Sequence, residues 1–308
     1  MGRYVARRLL QMIPVFIGTT LLIFLMVHVL PGDPIKALWG DKAADPAQVA
    51  VLRHKFGLDL PLWQQYTNYM ADLFQGKFGE TFGGRQVSDV MAESFPVTIR
   101  LALVAFVIEV ILGITLGVFA GLKAGKAVDT AVLIFTLLVI SVPVFVLGYI
   151  FQTVFATELG WVTPSVQDSE DFTQLILPGA VLGSLSLAYV ARLTRTTISE
   201  NVRSDYMRTA LAKGLPKRRI VGVHLLRNSL IPVVTFLGTD IGALMGGAIV
   251  TEGIFNVQGV GQQLYRAVSQ GEGTTTVGIV TVLVIVFLIT SLIVDLLYAV
   301  LDPRIRYA

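Results

Sequence analysis

The chain has 308 residues and 33.4 kDa, a mean hydropathy of +0.71, 54% apolar residues and only 15% charged ones. Soluble domains carry about 25% charged residues, so a soluble or disordered chain is excluded and an integral membrane protein is indicated. Cysteine is absent, which removes thiol catalysis, thiolate metal sites and disulfides, and in such a chain the +3 net charge marks the cytoplasmic side of a membrane before it suggests nucleic acid.

Six apolar runs are long enough to cross a bilayer, at residues 9–30, 98–122, 128–155, 174–191, 230–251 and 276–300; about 20 residues at roughly 1.5 Å rise span the hydrocarbon core. The first follows Arg3, Arg7 and Arg8 as a signal peptide would. Its apolar run exceeds an h-region and no A-x-A site follows Leu30, so it is expected to be a retained helix. Segment 31–97 opens on Pro31-Gly32-Asp33-Pro34, a turn signal. Helical spacing at Val49, Leu52 and Phe56, and around Trp63, Tyr66, Tyr69, Met70 and Leu73, predicts small amphipathic helices near the outer surface.

The second run has Glu109 near its centre and a glycine ladder at Gly113, Gly117 and Gly121; the fifth has Asp240 and Gly238, Gly242 and Gly246. Such ladders let helix backbones approach closely, so both spans are expected to pack against protein. Pro143 and Pro178 are expected to kink or interrupt the third and fourth runs. Asp295 lies toward the inner end of the sixth. Each buried carboxylate costs roughly 2.5–3.5 kcal/mol on insertion scales. Glu109, Asp240 and Asp295 are therefore candidates for a polar translocation path or for polar contacts across helix interfaces, Asp295 alternatively for pairing with a nearby arginine.

Orientation follows from the basic residues. With the N-terminus in the cytoplasm, the inner segments hold 16 of the 24, nine of them between Arg192 and Arg227. The short outer loop 156–173 holds none but carries Glu158, Asp168, Glu170 and Asp171. Both termini are placed inside, and the long outer segment 31–97 translocates largely regardless of its charge. One domain spanning 1–308 is the economical reading.

A search for catalysis finds nothing. His28, His54 and His224 form no H-E-x-x-H or paired metal motif, and there is no Walker A sequence and no G-x-S-x-G elbow. The chain is read as a non-enzyme that binds no cofactor or metal itself.

The cytoplasmic segment 192–229 is the informative one. Its stretch Asp205 to Pro232 begins as a helix former, Tyr206 to Lys213, is broken by Gly214 and Pro216, and continues through Lys217-Arg218-Arg219 into a second helix toward Ser229 and Pro232. A short helix held outside the bilayer between two spans is a mechanical contact for a partner. The alternative is a basic loop that sets topology or touches anionic lipid.

This stretch resembles the EAA loop of bacterial ABC-importer permeases. With the motif glycine on Gly214, the leading positions fall on Arg208, Thr209 and Ala210 and the following proline on Pro232. Arginine replaces the general glutamate and threonine the first alanine, as in the dipeptide/oligopeptide (and nickel/haem) branch. Leu30-Pro31-Gly32-Asp33-Pro34, Thr251-Glu252-Gly253-Ile254-Phe255 with Gly259-Val260-Gly261, and Asp302-Pro303-Arg304-Ile305-Arg306-Tyr307 resemble further segments of that branch, in the same order.

The resemblance implies an all-α type I importer permease with six transmembrane helices, both termini cytoplasmic and a large first extracytoplasmic loop, in the bacterial inner membrane. It implies partners: a homologous second permease, one or two ATPases carrying ATP and Mg²⁺, an extracytoplasmic binding protein and a peptide substrate. It casts Asp205, Tyr206, Arg208, Thr209, Ala210, Lys213, Gly214, Leu215 and Pro216 as the ATPase-coupling segment. Segments 31–97 and 253–275 are the expected docking surface for the binding protein. The same machinery importing haem, nickel or glutathione is the alternative, and a passive channel a more distant one.

Overall fold

The computed structural model describes the backbone of residues 2–29 and 45–301 and the side chains of residues 5–27 and 45–292. The Leu30–Pro34 turn, the C-terminal segment 302–307 and the side chain of Asp295 lie outside these. The described residues are almost entirely helical, with one isolated bridge between Glu80 and Gln86.

The helices, in order, are α1 (Gly2–Val29), α2 (Pro46–Lys55), α3 (Leu62–Phe74), α4 (Val87–Leu122), α5 (Ala127–Ser141), α6 (Val144–Glu158), α7 (Ile176–Leu182), α8 (Ser184–Asn201), α9 (Asp205–Ala212), α10 (217–229), α11 (Ile231–Phe255), α12 (Val260–Ser269) and α13 (Gly273–Leu301). Among the described residues four are long and apolar enough to cross a membrane, and six if the bent pairs α5–α6 and α7–α8 each count as one span. The chain forms two compact units, Met1–Pro96 with Gly259–Ala308, and Val97–Gln258.

In the first unit α1 packs on α13, and α3 is tied to both. Tyr66 shares a hydrogen bond with Thr20 of α1 at 3.1 Å, and Tyr69 donates to Thr281 of α13 at 2.6 Å. Burial of the Tyr69 hydroxyl raises its pKa to about 12. Both expected helices form, as α2 and α3, but only α3 is amphipathic, with Trp63 and Phe74 left exposed as an interfacial helix would leave them. The outer segment is shorter than hydropathy suggests, because α4 starts at Val87. Segment 253–275 is largely helical: it takes in the end of α11, all of α12, which is seated on α13, and the start of α13.

In the second unit the core lies between α4, α6, α7 and α11, around Leu101, Leu175, Val181, Ala248 and Phe255. The first glycine ladder packs on α8. A Cβ at Gly113 would lie 2.8 Å from Val190, at Gly117 2.5 Å from Thr194 and at Gly121 2.6 Å from Ile198. At two positions of the second ladder no described residue is close: a Cβ at Gly238 or Gly246 would meet nothing within 4 Å. The expected packing of a ladder against protein is met within the described residues by the first.

The third span bends by 107° at Val142–Pro143, as a residue with no N–H in mid-span requires. The fourth bends by 57°, at Gly183 and not at Pro178. Pro178 sits in the first turn of α7, where a missing N–H costs little. Gly183 is the break because its Cα approaches α4 so closely that a Cβ would lie 2.8 Å from the Ala105 carbonyl oxygen. From there α8 runs on to Asn201, so the basic segment begins as a helix continuous with the span and leaves it only after residue 201.

Candidate functional site

α9 starts at Asp205 after a short turn and ends in a Schellman motif. The Gly214 N–H donates to Leu211 O at 2.9 Å and the Leu215 N–H to Ala210 O at 3.4 Å. Gly214 has φ +70°, the left-handed conformation this motif places after the helix. Leu215 packs back with Ala210, completing the hydrophobic contact of the motif. Pro216 then opens α10, whose backbone bonds widen to π spacing over Ile220–Leu225.

One face of α9 is buried. Met207 and Ala210 join Ile198 of α8 and Ile220 and Leu225 of α10 in a small core, with Val118 of α4 against it. The Tyr206 hydroxyl donates to Asn201 Oδ1 at 3.0 Å, and Ser204 Oγ to Asn201 O at 2.6 Å. The other face holds Asp205, Arg208, Thr209, Leu211 and Lys213, all exposed, and the basic run 217–219 continues it. Arg208 and Asp205 make only a loose, solvated pair at 3.4 Å. The candidate segment therefore divides: Asp205, Arg208, Thr209, Lys213, Gly214 and Pro216 are open to a partner, Tyr206 and Leu215 are half-buried anchors, and Ala210 belongs to the inner face. Leu211, unremarked in sequence, is 59% exposed in the middle of the outer face.

Glu109 and Asp240 come together. Glu109 sits in α4 where its bonds take π spacing over Glu109–Gly113, and it is fully buried. Its polar neighbours are Asp240 of α11 and Ser186 of α8. Neither Glu109 carboxyl oxygen, nor Asp240 Oδ2, makes a hydrogen bond of good geometry. Around them lie Val190, Val233, Leu237, Phe106 and Val110. In these surroundings the pair joins α4, α8 and α11.

Other polar contacts carried no signal of their own in the sequence. Asp129, 4% exposed, takes a two-pronged bond from Arg195: Nε to Oδ1 at 2.8 Å and Nη2 to Oδ2 at 2.7 Å. Glu252 is fully buried and accepts from Thr98 Oγ1 at 2.7 Å. Next to it α11 ends at Asn256, with φ 55°, where asparagine tolerates the left-handed region. Loop 159–175 is stitched to that end. Val166 N–H donates to Phe255 O, Gln258 N–H to Ser169 Oγ, and Gln152 Nε2 to both Pro164 O and Ile254 O. Asp171 in this loop is held below the usual carboxylate range by bonds from the Thr173 hydroxyl and N–H.

His54 is exposed and bonded to Asp59 at 2.8 Å, which raises the imidazole pKa and lowers that of the carboxylate. Among the described residues no group of three or more His, Asp or Glu side chains is placed to hold a metal ion.

Residues 113–307 match the family described as "Binding-protein-dependent transport system inner membrane component", and residues 1–102 its N-terminal companion. The chain is 38% identical to the di/tripeptide transport system permease protein DppB of Pseudomonas aeruginosa, over 99% of this chain and 98% of that one. It is 35% identical to the dipeptide transport system permease protein DppB of Alkalihalophilus pseudofirmus, over 99% of both. It is 37% identical to the glutathione transport system permease protein GsiC of Escherichia coli K12, over the full length of both.

Proposed function

The chain belongs to the binding-protein-dependent transport system inner membrane component family, and from that membership we propose that it is a permease subunit of an ABC importer for di- and oligopeptides. It forms half of the translocation path beside a homologous permease. It receives substrate from an extracytoplasmic binding protein and is driven by one or two cytosolic ATPases, which hold the ATP and Mg²⁺. The outer segments 31–97 and 253–275 face the binding protein.

The observation that carries the coupling role is the division of α9. Its inner face is locked to α8 by Met207, Ala210 and the Asn201 bonds, while Arg208, Lys213 and residues 217–219 stand exposed on the outer face. A partner pressing on that face cannot slide α9 along the permease, so α8 and the helices packed on it move together. Closure of the ATPases becomes a rigid-body switch between two arrangements of the permease pair. The basic outer face suits an acidic or polar ATPase surface.

The relative named for glutathione matches as closely as those named for dipeptides, so glutathione import by the same machinery is the second reading. One experiment addresses both. The chain is purified gently from its native membrane, co-eluting proteins are identified by mass spectrometry, and the recovered complex is reconstituted in vesicles with its binding protein. The expected result is a second permease and one or two Walker-motif ATPases, with ATP-dependent uptake of labelled dipeptide. Uptake of labelled glutathione in place of dipeptide selects the second reading. Flux indifferent to ATP, with no ATPase captured even by crosslinking, overturns both.

A further inference from the structure

Two independent sets of contacts make α4, α5 and α8 one piece at the end of the second unit that carries the basic loops. The first is the glycine ladder, which brings α4 and α8 together over Gly113, Gly117 and Gly121 with no room for a Cβ. Interlocked backbones of this kind resist sliding. The second is the Asp129–Arg195 pair. Asp129 stands in the first turn of α5 and accepts the Gly125 N–H at 2.8 Å, closing the turn between α4 and α5. Its two oxygens also take both prongs of Arg195 from α8. The fork fixes direction as well as distance, which a lysine in its place would not do. Two turns of α8 separate Arg195 from Asn201, which holds α9 through Tyr206. At the far end of α5 the span breaks by 107° at Val142–Pro143.

We propose that the Asp129–Arg195 pair is the joint that carries movement of α9 and α8 to α5, the inner arm of the broken third span. The two are positioning residues for coupling: they touch neither substrate nor ATPase, and they make α5 follow α8 about the Val142–Pro143 break. This rests on the importer reading above. The pair has a reason to be charged that stability alone does not supply, since a largely buried ion pair often stabilises no more than apolar side chains of similar volume, whereas a bidentate pair specifies orientation.

The test uses the whole complex in vesicles and exploits the absence of cysteine from this chain. In Arg195→Met and Asp129→Asn, assembly with the ATPases and basal ATP hydrolysis are expected to persist. Substrate carried per ATP is expected to fall roughly tenfold, the scale set by losing a hydrogen bond to a charged group. In Asp129→Cys/Arg195→Cys, a short bismaleimide bridge is expected to restore most of that ratio. An unchanged ratio in the assembled single variants, or no recovery on bridging, overturns the proposal.

A second measurement leaves the joint intact. Spin labels at Thr130→Cys on α5 and Glu200→Cys on α8, both exposed positions, are expected to keep one separation with and without ATP, and to change it once Arg195→Met is added. A separation that changes with ATP while the pair is intact also overturns the joint. If the unmodified chain shows no ATPase partner or ATP-dependent uptake, the importer reading itself falls, and that result is read before any variant is made.

Discussion

At Gly214 the backbone has φ +70° and a Cβ would meet nothing within 4 Å. The position therefore selects glycine by conformation and not by space. An L-residue held there costs about 1–2 kcal/mol, and a β-branched one more. Gly214→Val is expected to keep its yield in the membrane and lose several-fold of the ATPase stimulation by substrate-loaded binding protein. Gly214→Asn, able to enter the same region, is expected to retain most of it. Full stimulation in Gly214→Val would remove the turn from the coupling route.

The Glu109–Asp240 contact is a second residue-scale case, and here the sequence left two meanings open. Both groups are buried inside one unit among apolar side chains from α4, α8 and α11, which supports a helix-interface role. An amide in place of one carboxyl keeps the shape and adds a donor for the orphaned oxygens. Removing like charge from a buried pair is often neutral or stabilising. Glu109→Gln is expected to melt at or above the temperature of the unmodified protein and to transport normally. A folded Glu109→Gln protein with lost uptake would instead assign the pair to the path. The identities of both residues were legible from their apolar context. Their meeting was not, because it depends on which faces α4 and α11 turn toward each other.

Among elements, the two glycine ladders separate. Gly117→Leu would drive a side chain into Thr194 and the Ala191 carbonyl at 2.5 and 2.6 Å. Overpacking of this kind costs about 1–3 kcal/mol, so the expected outcome is a sharp loss of monodisperse protein in detergent. Gly246→Leu meets open space within the chain and is expected to leave the isolated subunit intact and alter only its pairing with the second permease. Equal losses in both variants would show that the ladders do the same job. The spacing marked both helices as close-packing surfaces yet carried no sign of what each packs on. Proline was a partial guide in the same way: Pro143 marks a bend, while Pro178 is absorbed in a first turn and the fourth span breaks at Gly183.

At the scale of the whole molecule, apolar run length and the bias of basic residues were sufficient for a multi-span helical membrane protein, because insertion depends on sums over about 20 residues and those sums are local. The motif around Gly214 was legible for the same reason: a Schellman turn is written in a few consecutive residues. Only the tertiary structure decided that Ala210 faces inward while Leu211 faces out, that α8 extends to Asn201, that Asp129 finds Arg195, and that the first glycine ladder meets α8. Lipid tails are as apolar as leucine, so hydropathy does not distinguish a helix face that meets protein from one that meets lipid. That choice is made by the fit of shapes and the pairing of a few polar groups far apart in the chain.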